Sequence, residues 1–255
     1  MIMASVYNSR TVFMHNLIAK ALRAMGVKIV RFPTGDLHAS PLSYFLRDLD
    51  LVLDVGAGHG EFGQECRELG YRGQILSYEP LRSSFDRLAL RSRRDVSWYS
   101  RNCALGDVEG LESLSVTSNR GHSSTLLGLG ALHLRAAPDA RVVGQELVRV
   151  TTLDHEFLHS LKLSQASSIG LKIDAQGYEL AILEGATGSL ARLSKVLVEL
   201  SLVKLFDGGP LFTEVIHFLL DRGFYMSGIR PGFRSQDGQL LQFDGVFSRV
   251  PEPVL

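Results

Sequence analysis

The residues best suited to chemistry are acidic side chains that follow short apolar runs, together with one glycine-rich turn. Asp54 lies in an apolar run, and Gly56, Gly58 and Gly60 follow it. A buried strand that turns through glycines into a helix lets backbone N–H groups approach a ligand closely and favours an anionic group there. Glu79 ends the next apolar run, where a carboxylate can accept hydrogen bonds from both hydroxyls of an adenosine ribose. The segment therefore predicts a site for an adenosine-containing ligand.

Two classes of adenosine-containing ligand are compatible with this turn. Gly58-x-Gly60-x-x-Gly63 matches the dinucleotide fingerprint, and Glu79 stands where that fingerprint needs an acid. A nicotinamide-dependent dehydrogenase is therefore one interpretation. Two features favour a different ligand. Asp54 takes a strand position that is normally apolar in dinucleotide sites, and the chain is predicted to end in an antiparallel hairpin instead of a sixth parallel strand.

Two further carboxylates follow later apolar runs. Asp174 is predicted to end the fourth core strand and Glu199 the fifth. Open α/β sheets place their ligands at the carboxyl ends of the strands, so Asp174 is predicted to orient or deprotonate an acceptor group. A strand-end aspartate can also simply cap the next helix. With Glu199 it could form a two-carboxylate Mg²⁺ site, since hard cations prefer oxygen ligands.

One histidine is placed to assist this chemistry. His122 lies beside two serines in a long polar loop, and loops of that length in compact domains are often functional. An imidazole suits proton transfer near neutral pH, which makes His122 a second candidate for the base. The alternative for a loop histidine is plain exposure to solvent.

These residues need a sheet to bring them together. From residue 51 onward short apolar runs alternate with helical periodicities, which predicts an α/β fold with a parallel sheet. The first, second and fourth strands are predicted at Leu51–Val55, Gln74–Tyr78 and Ile169–Ile173, and the third at about Val96 to Tyr99. Two final strands, near residues 224–229 and 240–247, are close enough in sequence to form an antiparallel hairpin.

The segment before the sheet has a different pattern. Apolar residues at helical spacing predict a helix over residues 11–25, and Ser40 followed by Pro41 is typical of the start of another helix. Neither helix belongs to a repeating strand–helix unit. The expected organisation is an N-terminal helical addition over residues 1–47 and one main domain over residues 48–250.

Composition limits the classes of function. The 255 residues carry 27 basic and 27 acidic side chains, and this neutral balance argues against a nucleic-acid binder, which usually has a basic excess. No apolar run approaches the roughly 20 residues that a membrane span needs. The two cysteines cannot form a disulfide framework, and no signal-peptide pattern opens the chain, so a cytoplasmic protein is expected.

The glycine turn and the acid after it resemble a known class of enzymes. Asp54-x-Gly56-x-Gly58-x-Gly60 with Glu79 is similar to the first two binding motifs of Rossmann-like S-adenosylmethionine-dependent methyltransferases. In that class the glycine turn faces the methionyl part of the donor, whose carboxylate suits a helix N-terminus as a phosphate would.

Later segments narrow the resemblance to the FkbM-type methyltransferases. The run LKIDAQGYE at residues 171–179, with LEGA at residues 183–186, is similar to the signature of that family. The matched segments together cover about residues 48–249. The supporting segments are Tyr78–Pro80, Asn102–Asp107, Ser123–Ser124, Val150–Asp154 and Val198–Leu200.

The resemblance implies a fold, a donor and a reaction. The fold would be of the Rossmann-like class I methyltransferase type: a mostly parallel seven-stranded sheet with a C-terminal antiparallel hairpin, plus the N-terminal helices. S-adenosylmethionine would be the methyl donor, and the reaction would be O-methylation of a hydroxyl on a sugar, glycolipid or polyketide-type natural product. The implied donor-site residues are Asp54, Gly56, Gly58, Glu79, Asn102 and Ala104, with Glu79 on the ribose and the last two beside the adenine.

Chemistry is assigned to Asp174, with His122 or Glu199 assisting it. The expected partner is a small-molecule or glycoside acceptor, without nucleic acid or a membrane span, and a homodimer is expected through the N-terminal helices. Three alternatives stay open. They are an NAD(P)-dependent oxidoreductase, a non-catalytic protein that binds S-adenosylmethionine, and a methyltransferase that acts on nitrogen or carbon.

Overall fold

The structure, a computed structural model, describes residues 40–160, 163 and 165–250. The strands in chain order are β1 Leu51–Val55, β2 Gln74–Tyr78, β3 Trp98–Arg101, β4 Ala104–Leu105, β5 Gly110–Thr117, β6 Gly128–Leu129, β7 Val142–Thr151, β8 Ile169–Ile173, β9 Leu193–Ser201, β10 Phe206–Asp207, β11 Phe224–Pro231 and β12 Gln242–Arg249. The α-helices are α1 Pro41–Leu46, α2 Glu61–Glu68, α3 Arg82–Ser92, α4 Ala131–Ala136, α5 Leu153–His159, α6 Glu179–Glu184 and α7 Phe212–Leu220.

The central sheet confirms the predicted α/β class. In the described part of the chain it has seven strands in the order β11-β12-β9-β8-β1-β2-β3. Neighbouring strands from β9 to β3 are parallel, whereas β12 pairs antiparallel with both β9 and β11. This is the mostly parallel sheet with a C-terminal antiparallel hairpin. Every residue of β1 and β8 is buried, as expected for parallel strands covered on both faces.

Helix α1 closes one face of the sheet. The Ser40 hydroxyl accepts a hydrogen bond of 3.0 Å from the Ser43 N–H, and Pro41 takes the first helical position, which confirms the predicted helix start. Phe45 of this helix is fully buried in an apolar cluster that includes residues of β1 and β2. The other predicted helix, over residues 11–25, lies outside the described residues.

Several predicted strand limits differ from the structure: the two hairpin strands, predicted near residues 224–229 and 240–247, are Phe224–Pro231 and Gln242–Arg249. The third strand begins at Trp98, and Val96, predicted within it, is 91% exposed. The Trp98 indole packs against Gly63 of α2 and donates a 3.0 Å hydrogen bond to the Ser77 hydroxyl, which fixes where the strand starts. Strand β9 continues to Ser201, so Glu199 lies inside the strand and not at its end as predicted.

Two smaller sheets accompany the central sheet in the described part of the chain. Strands β4, β7 and β5 form a three-stranded sheet, and β6 pairs with β10. No helix in the part of the chain that the structure describes is long and apolar enough to cross a membrane.

His133 of α4 is buried between two aromatic rings. It is 3% exposed, and its ring centre lies 5.1 Å from that of Phe206 and 5.9 Å from that of Phe233. Neither ring nitrogen has a hydrogen-bond partner among the described residues. Burial lowers the pKa of His133 because an imidazolium here would lose its hydration without gaining a partner.

We expect the free energy of unfolding to fall as the pH drops through about 6.5, the ordinary histidine value. Below that pH the unfolded chain binds a proton that folded His133 does not bind, so protonation favours unfolding. The substitution H133F should flatten this part of the pH profile in chemical denaturation, whereas H217F at an exposed site on α7 should retain it. Equal slopes in wild type and H133F would contradict the assignment.

Candidate active site

A cavity of about 320 Å³ opens at the carboxyl ends of β1, β2 and β8. Both its volume and its place in the sheet are typical of small-molecule sites in α/β proteins. The predicted site residues that line it are Gly56, Gly58, Glu79, Ala104, His122 and Asp174. Asp54, Asn102 and Glu199 are not among its lining residues. The fold thus lines the cavity with six of the nine predicted site residues.

The glycine turn needs glycine at its first position. Gly56 has a φ of +70°, and a Cβ atom there would lie 1.8 Å from the carbonyl oxygen of Asp174. The chain after β1 therefore crosses directly over the end of β8, which joins the turn to the predicted catalytic residue. A side chain at Gly56 would push these two segments apart.

Glu79 is held at the centre of the predicted donor site. Its carboxylate accepts hydrogen bonds from the Gly58 N–H at 2.8 Å and the Leu81 N–H at 2.9 Å. Burial raises the pKa of Glu79 to about 7, although these backbone donors partly offset the desolvation. The Asn102 amide donates to the Glu79 and Pro80 carbonyls, each at 2.9 Å. Asn102 therefore fixes the turn that carries Glu79 and does not itself line the cavity.

Asp54 pairs with a lysine to which the sequence patterns assigned no role. The Lys172 ammonium lies 3.2 Å from Asp54 Oδ1, and both side chains are buried. It also donates to the carbonyls of Val55 at 3.1 Å and Gly56 at 3.0 Å. The Ser77 hydroxyl donates to Asp54 Oδ2 at 2.9 Å. Asp54 thus holds the Lys172 ammonium in place, and Lys172 in turn binds the backbone carbonyls at the start of the glycine turn.

Two opposing effects act on the charge of Lys172. Burial lowers the pKa of Lys172, but the carboxylates of Asp54 and Asp174 outweigh that effect and raise it overall. The lysine therefore stays charged beside the cavity, with its nearest Asp174 oxygen, Oδ2, at 3.8 Å.

Asp174 is joined to Glu199 through an amide. Gln176 Nε2 donates to Asp174 Oδ1 at 2.8 Å and lies 3.3 Å from Glu199 Oε2. The Gln242 amide donates to the same Glu199 oxygen at 2.7 Å. Burial raises the pKa of Glu199 well above its ordinary value, and the nearby Asp174 charge adds to that effect.

This arrangement does not fit the predicted Mg²⁺ ion. The oxygens of Asp174 and Glu199 surround an amide nitrogen as hydrogen-bond acceptors and do not converge as ligands on a shared cation. Within residues 40–250, outside the three undescribed positions, no group of three or more histidine, cysteine or acidic side chains could hold a metal ion.

His122 is a further residue that lines the cavity. The His122 ring centre lies 5.4 Å from that of His59. Arg230 also lines the cavity, and the sequence patterns gave no sign of it. Its guanidinium contacts Asp244 at 2.8 Å and Glu65 at 3.1 Å, so its charge is already balanced by two carboxylates. His122 lines the cavity and is the second candidate, after Asp174, for the group that takes a proton from the acceptor.

Comparison with known proteins gives a consistent family. The sequence profile of the methyltransferase FkbM domain matches residues 54–226. The hexuronic acid methyltransferase AglP of Haloferax volcanii is 24% identical over 187 residues, which is 69% of each chain.

Solved structures with a similar course of the chain include a tRNA and a precorrin methyltransferase. A candidate tRNA (m1A22) methyltransferase of Streptococcus pneumoniae, in complex with S-adenosyl-L-methionine, has a TM-score of 0.48 at 12% identity, and the match covers 88% of this chain and 76% of that one. The precorrin-6y C5,15-methyltransferase of Geobacter metallireducens has a TM-score of 0.44 at 10% identity, with 82% and 85% covered.

Proposed function

The chain belongs to the FkbM methyltransferase family, and from this premise we propose that it methylates a hydroxyl oxygen of a sugar-containing acceptor. The family makes it an S-adenosylmethionine-dependent methyltransferase; the oxygen acceptor is the proposed part. In this proposal residues 48–250 form the catalytic domain. The match to a hexuronic acid methyltransferase supports a glycoside as the acceptor class. Glycolipids and polyketide-type natural products are the other acceptors within the proposal.

The residues present fit the donor. A turn that only glycine can form lines the cavity, and the buried Glu79 carboxylate beside it is suited to accept hydrogen bonds from ribose hydroxyls. Ala104 lines the same cavity and is proposed to lie beside the adenine. When bound, S-adenosylmethionine supplies an electrophilic methyl group: the acceptor oxygen forms the new C–O bond, and the C–S bond breaks with its electron pair left on sulfur.

One observation carries the choice of an oxygen acceptor. The Asp174 side chain is 40% exposed at the cavity wall, with Oδ1 hydrogen-bonded to Gln176 and Oδ2 in no hydrogen bond within the described residues. Oδ2 can therefore accept the proton that a hydroxyl loses as its oxygen attacks. Holding the acceptor in line beside the donor supplies much of the rate enhancement, and a general base typically adds about 10²–10⁴-fold.

The direct test is binding followed by product analysis. Calorimetric titration with S-adenosylmethionine, S-adenosylhomocysteine and NADH should show binding of the adenosyl ligands alone. Incubation with 4-nitrophenyl glucoside and 4-nitrophenyl glucuronide, followed by mass spectrometry and NMR, then identifies the atom that carries the new methyl. A methyl ether supports the proposal. An alkali-labile methyl ester on the glucuronide carboxylate, or no turnover of either glycoside, contradicts it.

Glu79 provides a prediction for donor binding. We expect E79A to weaken S-adenosylmethionine binding by about 1–3 kcal/mol, because the ribose hydroxyls lose their acceptor. Because burial raises the pKa of Glu79 to about 7, wild-type affinity should also increase between about pH 6 and about pH 8, as the carboxylate that accepts these bonds becomes ionised. E79Q should flatten that pH dependence. Unchanged affinity in E79A would remove Glu79 from the donor site.

A further inference from the structure

The loop after β8 has an unusual backbone. Gln176 adopts a φ of +54°, in the left-handed region that costs most non-glycine residues of order 1–3 kcal/mol, and Gly177 follows with +99°. Two side chains, those of Glu179 and Thr125, hold the loop in this form. The Glu179 carboxylate accepts the N–H groups of Ala175 and Gly177, each at 3.1 Å, and the Thr125 hydroxyl donates to the Gln176 carbonyl at 2.7 Å. Strain of this kind persists where surrounding structure enforces it, often at active sites.

The strained backbone places the Gln176 amide between two carboxylates. Its nitrogen has two N–H donors, and the structure directs one to Asp174 Oδ1 at 2.8 Å and the other to Glu199 Oε2 at 3.3 Å. Glu199 is in turn held by the Gln242 amide at 2.7 Å. The chain from Gln242 through Glu199 and Gln176 therefore ends on Oδ1 of Asp174, and it leaves Oδ2 without a hydrogen bond among the described residues, 3.8 Å from the Lys172 ammonium.

We propose that Gln176 is a positioning residue that aims Asp174 Oδ2 at the acceptor hydroxyl, and that Glu199 orients Gln176 for this task. The inference rests on the proposed function and adds the arrangement of the base. The hydroxyl proton passes to Asp174 Oδ2 while the acceptor oxygen bonds to the methyl carbon and the sulfur of the donor leaves with the electron pair. Because Glu199 does not line the cavity, it acts only through Gln176.

The variants E199Q and E199L distinguish a positioning role of Glu199 from a role as a charged catalytic group. Glutamine at position 199 keeps a side-chain oxygen that can accept from the amides of Gln176 and Gln242, whereas leucine keeps none. E199Q should therefore restore the partner of Gln176 that E199L removes. A role for Glu199 as a charged catalytic group predicts instead that E199Q and E199L are equally inactive.

The substitution Q176G tests the positioning role apart from stability. Glycine adopts a positive φ readily, so Q176G removes the amide and relieves the backbone, and the unfolding temperature should stay the same or rise. We expect kcat to fall about 10- to 100-fold, since misplacement of a reacting group by about 1 Å costs up to that much. The Kd for S-adenosylmethionine and the KM for the acceptor should change less than about three-fold.

The matched control is D48G, which relieves another positive φ, +62° at the exposed Asp48, outside the cavity lining. It should keep the wild-type kcat. The assay uses the two 4-nitrophenyl glycosides with D174N run in parallel. If wild type methylates neither glycoside, the proposed function fails and this inference with it. If D174N is inactive while Q176G retains kcat within two-fold, or if E199Q and E199L lose equal activity, the positioning inference alone is overturned.

Discussion

Replacing Asp174 with asparagine is expected to lower the rate of methyl transfer by about 10²–10⁴-fold while donor affinity stays within a few-fold. Asparagine keeps the size of the side chain and can still accept the Gln176 amide at Oδ1. It places a neutral group where the free carboxylate oxygen would take the proton. Because Asp174 reaches the donor turn through its backbone carbonyl, which asparagine retains, the cavity should keep its form.

Single-turnover kinetics with calorimetric donor binding would measure both quantities in D174N. The control D221N removes an exposed carboxylate at the end of α7 and should behave as wild type. H122N run beside it tests the other cavity-lining base. Normal turnover in D174N, with loss in H122N, would transfer the base role to His122 and leave Asp174 as a structural residue at the end of β8.

Patterns of buried runs predicted the central sheet well because its parallel strands are covered on both faces. Such strands have apolar residues throughout, and the turns around them contain the glycine or proline that marks their limits. The runs at Leu51–Val55, Gln74–Tyr78 and Ile169–Ile173 therefore match β1, β2 and β8 residue for residue. The edge strand β3 was less readable because a tryptophan contact with a neighbouring helix, not an apolar run, sets where it begins.

Two of the predicted carboxylates were predictable because they follow strands directly. Glu79 and Asp174 follow strands directly, so their place beside the cavity follows from the sheet. Gln176 was not predictable as a positioning residue, because a positive φ at a glutamine depends on distant contacts from Thr125 and Glu179. Glu199 lies in the middle of a strand, and only the structure shows that an amide connects it to Asp174.

The sequence does indicate the role of Lys172, but only when two apolar runs are compared position by position. Asp54 is the fourth residue of the run Leu51–Val55, and Lys172 is the fourth residue of Ile169–Ile173. These strands are neighbours, and their register pairs Asp54 with Lys172. Two opposite charges at the same position of two otherwise apolar runs indicate a buried pair, since a lone charge in either strand would be very costly.

The largest effect on stability is expected from Lys172→Met. Removing one partner of a buried ion pair leaves the other charge uncompensated, which typically costs about 3–5 kcal/mol. In K172M the Asp54 carboxylate would be left with the Ser77 hydroxyl as its remaining hydrogen-bond donor among the described residues. Urea denaturation should show this loss, whereas K204M, at a lysine side chain that is 57% exposed, should change the free energy of unfolding by less than about 1 kcal/mol.

The double variant D54N/K172M separates stability from donor binding. It removes both buried charges of the Asp54–Lys172 pair, and asparagine keeps the acceptor for the Ser77 hydroxyl, so much of the stability lost in K172M should return. Donor affinity should not return, because the carbonyls of Val55 and Gly56 still lack the ammonium that holds the glycine turn. If both stability and affinity recovered in the double variant, Lys172 would serve only to neutralise Asp54, and the turn would hold its shape without it.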